Sequence, residues 1–308
     1  MLGASRSANV SGVKSSDKVH KFYTKDLAVR ASFVTATQLC SEIADLQDTD
    51  PLATIALGRL VIGTILLASQ LWENQSLSVR MEGNGPLGYL YAEASFEGKV
   101  RAYISNPRIE PHSPVLKTLD FKEAIGEGVL TVTKNLPFQK QPQTGIVPIV
   151  SGEIAQDLAF YLHQSQQTLS VISLSVNLNS EGHVSSAAGF LLELIPGASE
   201  QVIQELENRT RKAPALSELL NQGLSPLEIM EHQVHGSPLV AIEHPYAIAL
   251  HCRCSQDRVE KTLSLMGRAT LAEMVLKGEE VKVRCEFCGK SYVVTLSTLR
   301  GLLTALED

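Results

Sequence analysis

Four cysteines constrain this chain more than any other feature. They stand as Cys252-x-Cys254 and Cys285-x-x-Cys288, with thirty residues between the pairs. Four thiolates can close a tetrahedral shell around one Zn²⁺ and leave no open coordination position. The stretch 249–308 therefore reads as a small zinc-binding module. About sixty residues bury little surface, and a metal that binds only the folded form supplies stability that such a core lacks. The first pair is Cys-x-Cys, and the gap is longer than in the common zinc ribbon. His251 precedes the first pair, but four sulfurs already complete the shell, which leaves His251 behind it or exposed.

Within this module a helix is expected from Gln256, with Val259, Leu263 and Met266 on one face and Gly267 as its stop. Thr270-Leu271-Ala272-Glu273 has the form of a capping box, opening a second helix that ends near Lys277-Gly278. Short strands over 281–285 and 291–295 flank the second cysteine pair, and a last helix covers 298–306.

The rest of the chain alternates between the two periodicities. Residues 29–36 read as a strand and 37–46 as a short helix. Cys40, in that helix, has no partner at metal spacing and reads as a small buried hydrophobe. The segment 51–73 is the most apolar. Asp50-Pro51 makes a good helix start. Arg59 interrupts the run, and the thirteen uncharged residues after it are too few for a span, since runs of about 10–14 are usually core helices. This predicts the central helix of the main domain.

Gly83, Gly85 and Gly88 match G-x-G-x-x-G after an expected strand, but residues 89–94 look like another strand. Without a helix N-terminus there is no phosphate cradle, so the motif reads as a glycine-rich turn. Strands over 99–105 and 128–134 follow. Ser151 is expected to cap a helix to about 165, with Ile154, Leu158, Tyr161 and Leu162 near one face. Residues 168–179 alternate, with Leu169, Val171, Leu174, Val176 and Leu178 as the apolar positions, then turn at Glu181-Gly182 and return over 184–195 as an antiparallel pair. The class is α+β: an antiparallel-sheet core domain with helices over 21–198, a helical linker, and the C-terminal four-cysteine zinc domain. His163 and His183 stand alone, and no Ser/His/Asp or paired-carboxylate arrangement points to an enzyme.

Pro196-Gly197 marks a boundary. Residues 199–248 hold three short helical stretches, 199–209, 215–222 and 226–233, broken by Pro214, Gly223, Pro226, Gly236, Pro238 and Pro245. Isolated helices shorter than about 12–15 residues are marginal in water. Such a linker is folded only while docked, and undocking would expose Leu216, Leu219, Ile229 and Met230 among others. A plain helical connection between two stable domains fits the same pattern.

Net charge is −6. The module 249–308 carries nine Lys and Arg against eight Asp and Glu, so neither part offers the basic face that nucleic acid requires. Residues 1–20 read as a disordered extension. The first sixteen hold Arg6 and Lys14 and no acid, as a transit peptide would, but lack an amphipathic apolar face. With no visible signal peptide, paired cysteines point to a reducing, cytoplasmic compartment and no membrane attachment.

Metal-bound thiolates remain nucleophiles that oxidants attack. Joining Cys285 to Cys288 would remove two ligands and release the metal. Cys252 and Cys254 can pair as well, although a ring over one intervening residue is strained. Loss of the module would then remove what the linker leans on.

The cysteine pattern, with Glu286-Phe287 inside the second pair and Tyr292 beyond, resembles the redox-regulated heat-shock chaperones known as 33 kDa chaperonins. Leu57-Gly58-Arg59-Leu60, Gly85-Pro86-Leu87-Gly88, Gly98-Lys99-Val100-Arg101-Ala102-Tyr103, the helix of Ser151-Gly152-Glu153-Ile154-Ala155 through Ser165-Gln166, and Leu194-Ile195-Pro196-Gly197-Ala198 look like segments of the same family. The likeness covers about 24–295. It departs at Ala31, where the family has Gly, and at Gln167, and neither position touches the cysteines. The resemblance implies an ATP-independent holdase, inactive with zinc on Cys252, Cys254, Cys285 and Cys288. Oxidation to the disulfides Cys252–Cys254 and Cys285–Cys288 would activate it as the linker unfolds. It also implies unfolded client proteins, a homodimer on activation, and hand-over to ATP-driven foldase chaperones. Rival readings are a zinc-ribbon nucleic-acid-binding protein, against which the near-neutral module counts, a thioredoxin-like oxidoreductase, which lacks the surrounding βαβ pattern, and a zinc hydrolase, for which a closed shell leaves no water position.

Overall fold

In the computed structural model the most apolar stretch, Pro51–Ala68, is a helix (α2), preceded by a shorter one, Thr37–Gln47 (α1). The structure describes residues 17–24, 29–109, 120–195, 200–234, 238–242 and 244–306. Asp50 caps α2, its carboxylate accepting from the Ala53 N–H at 2.8 Å, and Pro51 opens the helix. Fifteen of its eighteen residues are buried. It is long and apolar enough to cross a membrane, yet 83% of it lies inside the fold. Its one charge, Arg59, pairs with Glu153 at 2.8 Å and lies over the Phe121 ring at 4.4 Å.

Two six-stranded sheets enclose α2. The first runs β10-β1-β2-β9-β8, with β11 also on β1, from Lys18–Thr24 (β1), Val29–Thr35 (β2), Ser170–Leu178 (β8), Val184–Leu194 (β9), Leu239–Ala241 (β10) and Tyr246–Ala247 (β11). The second runs β12-β5-β4-β3-β6-β7, from Ser76–Gly83 (β3), Tyr89–Ser95 (β4), Lys99–Ile104 (β5), Gly128–Asn135 (β6), Gln143–Pro148 (β7) and Ala249–Leu250 (β12). Every pairing is antiparallel except β12 on β5. The α+β class follows, with strands joined mostly by short turns. Two glycines let the layers close on α2. A Cβ at Gly63 would stand 2.3 Å from Leu158 Cδ1, and one at Gly189 would stand 2.5 Å from Ile62 Cγ2.

The first sheet is buried on both faces. Along β9, Ala187 and Leu191 face α2, while Ala188, Phe190 and Leu192 face the other way. That second face is covered by three helices, Glu200–Lys212 (α5), Leu216–Asn221 (α6) and Pro226–Val234 (α7). Leu206, Leu216, Leu219, Ile229, Met230 and Val234 meet Phe22, Phe33 and Phe190 there. Among the described residues the main body also has the helices Phe121–Ile125 (α3) and Ile154–Gln166 (α4).

Several expectations change. Residues 18–20, expected in the disordered extension, belong to β1, and residues 1–16 lie outside the described residues. The signal was weak because Lys18, His20 and Lys21 break the apolar alternation. The Pro196-Gly197 boundary and Gly236 also lie outside them. Among the described residues after α7 none of the linker is helical: β10 and β11 add strands to the first sheet. Ser151 does not cap α4. Glu153 holds that position, and Ser151 Oγ accepts from the Glu153 N–H at 3.1 Å. The approach to α4 is held by buried Asp157, which accepts from the Val150 and Ser151 N–H groups at 2.9 and 3.0 Å. The G-x-G-x-x-G stretch is a turn pressed on α3: the Gly85 N–H donates to Ile125 O and the Leu87 N–H to Ala124 O. Cys40 is buried against Gly58, and burial pushes its thiol well up.

Candidate metal centre

Strand β12 delivers the chain to the first cysteine pair. Ala249 and Leu250 pair in register with Lys99 and Val100, and the His251 N–H donates to Val100 O at 2.7 Å. After Cys254, Ser255 caps a helix over Gln256–Ser264 (α8), its Oγ accepting from the Arg258 N–H at 3.2 Å. A second helix, Arg268–Lys277 (α9), follows Gly267. Thr270 lies inside α9, so the expected capping box does not form. Met266, expected on the packed face, is 50% exposed because α8 ends at Ser264.

The second pair sits on the turn of a hairpin, Val281–Arg284 (β13) and Ser291–Val294 (β14), followed by a helix over Leu296–Thr304 (α10). The Cys285 N–H donates to Lys290 O at 2.9 Å and the Gly289 N–H to Cys285 O at 2.8 Å. Gly289 has φ +68°, which favours glycine.

These two loops bring all four sulfurs together. Cys252, Cys254, Cys285 and Cys288 place their Sγ atoms within 4.8 Å of one another. Cys252 and Cys285 are 3.6 Å apart, and Cys254 and Cys288 are 3.4 Å apart. A tetrahedron of metal–sulfur bonds near 2.3 Å has edges of about 3.8 Å, close to these two separations, so the cluster has the size of a four-sulfur site for one ion. His251 is exposed and stands outside the group. Tyr292 Oη donates to Cys254 Sγ at 2.9 Å. Burial alone would push the Cys254 thiol up, but hydrogen bonds from Tyr292 and the other thiols outweigh it and bring it down to about 7. Burial, then crowding by the neighbouring thiols, holds Cys288 above its ordinary value. An apolar cleft of about 250 Å³, lined by Cys252, Cys254 and Cys285 with Val259 and Leu263, opens onto the sulfurs. The module's own core is small: Leu263, Leu271, Val294 and Leu299 are its buried apolar side chains, with Tyr292 also buried.

The residues between the cysteines dock the centre on the main body. Arg253 pairs with Glu93 of β4. Glu93 also accepts from Arg101 of β5, at 3.0 Å from Nε and 2.5 Å from Nη2. The Arg101 guanidinium lies over the Phe287 ring at 4.3 Å. Phe287 meets Tyr103 edge-on at 4.8 Å between centroids and Tyr91 at 5.8 Å. Gln47 at the end of α1 donates to the Glu286 carbonyl at 2.7 Å. Burial, then Tyr89, pushes the Tyr103 phenol up to about 12. Sequence reasoning found the four cysteines and missed this dock. Its one trace was the alternation 99–103, where Lys99, Arg101 and Tyr103 oppose the buried Val100 and Ala102.

The chain is similar to known proteins over most of its length. The family model described as Hsp33 protein matches residues 17–295. A 33 kDa chaperonin of Latilactobacillus sakei is 35% identical over 289 residues, covering 93% of this chain and 98% of that protein. One from Limosilactobacillus fermentum is 37% identical over 276 residues, covering 89% and 94%. The crystal structure of the 33 kDa chaperonin from Thermotoga maritima superimposes with a TM-score of 0.83 at 32% identity, covering 94% of this chain and 99% of that one. The chain belongs to the Hsp33 family, a family of chaperones and not of enzymes.

Proposed function

We propose that this chain is a redox-regulated, ATP-independent holdase. Cys252, Cys254, Cys285 and Cys288 hold Zn²⁺ in the reduced, inactive form. The ion, when bound, keeps the thiolates deprotonated and cross-links the two cysteine loops. Two thiolates lose an electron pair as Cys285 joins Cys288. Hydrogen peroxide accepts the pair in its O–O bond and, with two protons, becomes two waters. Cys252 and Cys254 pair in the same way. The carrying observation is the four-sulfur cluster within 4.8 Å, in a module with so small a core of its own.

Loss of the cluster unfolds the module and withdraws Arg253 and Phe287 from the second sheet. The strand β12, which joins the module to that sheet, goes with it. The linker 199–248 is metastable, and α5, α6 and α7 leave the first sheet. Phe22, Phe33 and Phe190 are then free for unfolded or partly folded clients of the cytoplasm. Activated chains pair as homodimers and pass clients to ATP-driven foldases.

Reduced, zinc-loaded protein treated with peroxide at mildly elevated temperature tests the reading. Zinc release is followed with a chromophoric chelator, and light scattering of a heat-denatured client is followed in the same samples. Scattering falls only after zinc leaves, and thiol reductant with zinc restores it. Zinc release with unchanged client aggregation would leave the metal structural and refute the holdase.

A further inference from the structure

We propose that Tyr91, Tyr103 and Arg101 form a preformed cradle for an aromatic side chain of an unfolded polypeptide, occupied in the reduced protein by this chain's own Phe287. The inference deepens the proposed holdase by naming what a client offers, and it rests on that reading for the event that empties the cradle.

The cradle belongs to the main body and not to the module. Tyr91 and Tyr103 are register partners on adjacent strands, and Arg101 faces Glu93 in the next row. On the opposite face Leu90, Ala92, Val100 and Ala102 are buried in the core around α2. The backbone that carries the three residues is therefore held independently of the cysteines. Arg101 is aimed by a buried acid, since Glu93 fixes both Nε and Nη2.

Its occupant sits on the turn that oxidation would dismantle. Phe287 lies between Cys285 and Cys288, edge-on to both tyrosines and under the guanidinium. Gln47 adds a backbone reading, donating to the Glu286 carbonyl at 2.7 Å and the Phe287 carbonyl at 3.5 Å. A ring and its flanking carbonyls are what an unfolded chain exposes and a folded protein mostly buries. Tyrosine and arginine recognise a ring through edge contacts and cation–π attraction, with little dependence on the neighbouring sequence. Such a site selects for unfolding and not for a motif.

The probe is a fluorescent eleven-residue peptide copying 281–291, with serine at both cysteine positions, alongside a copy with alanine at the phenylalanine. Zinc-loaded, reduced F287A protein binds the probe without oxidation, whereas the reduced parent does not. Oxidised, zinc-free parent binds it too. The alanine copy binds about tenfold more weakly or worse, as expected when an interface anchor is truncated. Y103A in the F287A background lowers affinity similarly. A benzophenone in place of the probe's ring gives a second reading on folded protein and cross-links within 89–103. Equal binding of the alanine copy, cross-links elsewhere, or no binding to F287A protein would overturn the cradle. Binding to F287A protein by a chain whose oxidised parent neither releases zinc nor protects a client would keep the cradle and reject the redox switch. Client protection by oxidised parent without probe binding to F287A protein would do the reverse.

Discussion

Glu93 is one carboxylate shared by two arginines from distant parts of the chain, Arg101 beside it and Arg253 between the first two cysteines. Its side chain is 9% exposed. Replacing it by Gln leaves both cations under-compensated. Loss of one partner of a buried ion pair costs about 3–5 kcal/mol, and exposure of Arg253 puts E93Q toward the low end. The expected result is a lower denaturation midpoint and faster zinc loss to peroxide, read by denaturant titration and chelator absorbance. Unchanged zinc loss would show that the pair does not hold the module. His20 gives a pH prediction. It is half-buried on β1, and burial, then Lys18, lowers its folded pKa below the usual 6.5. The unfolded chain then binds the proton more readily, so this contribution to stability is present above pH 6.5 and is lost as pH falls through the lowered folded value. H20Q flattens that part of the stability–pH curve, and an unchanged slope would rule His20 out as its source.

Helices α5, α6 and α7 give the linker a real packing partner, because both faces of the first sheet are apolar. That is why β9 reads as a nearly unbroken hydrophobic run, where a sheet with one wet face would alternate. Met230 is fully buried against this face. M230A removes most of that side chain and is expected to cost about 2–5 kcal/mol. If this layer is the one that oxidation releases, peroxide-dependent client protection begins at lower oxidant concentration in M230A, measured by light scattering. A higher oxidant requirement would contradict linker release. The strongly patterned elements were legible in the sequence: α2, its Asp50-Pro51 start and the β8–β9 pair, and the three short linker helices, which Pro and Gly punctuate. The cysteine spacing made the centre legible as well. Strands β1, β7, β10, β11 and β12 were not, because they are short or carry Lys and His within the alternation, and partners distant in sequence define them. The dock was illegible for the same reason: Glu93, Arg101, Tyr103 and Phe287 are ordinary surface residue types until the fold brings them together.

At the scale of the molecule, the centre touches one sheet and the linker helices cover the other, with α2 between them. Strand β12 on β5, and β10 and β11 on β1, stitch the linker's end and the module to both sheets. Removing zinc from reduced protein with a chelator is expected to melt 252–304 while α2 keeps its helix. Circular dichroism would then show a partial loss, and no loss would mean that the small core suffices without metal. The most direct test of the account is hydrogen exchange read by mass spectrometry during peroxide activation. Amides of 200–234 lose protection after zinc leaves and together with the onset of client protection, while those of α2, β3 and β4 stay protected. If 200–234 keeps its protection while the oxidised chain prevents aggregation, the linker is not the element that oxidation releases, and the account is wrong.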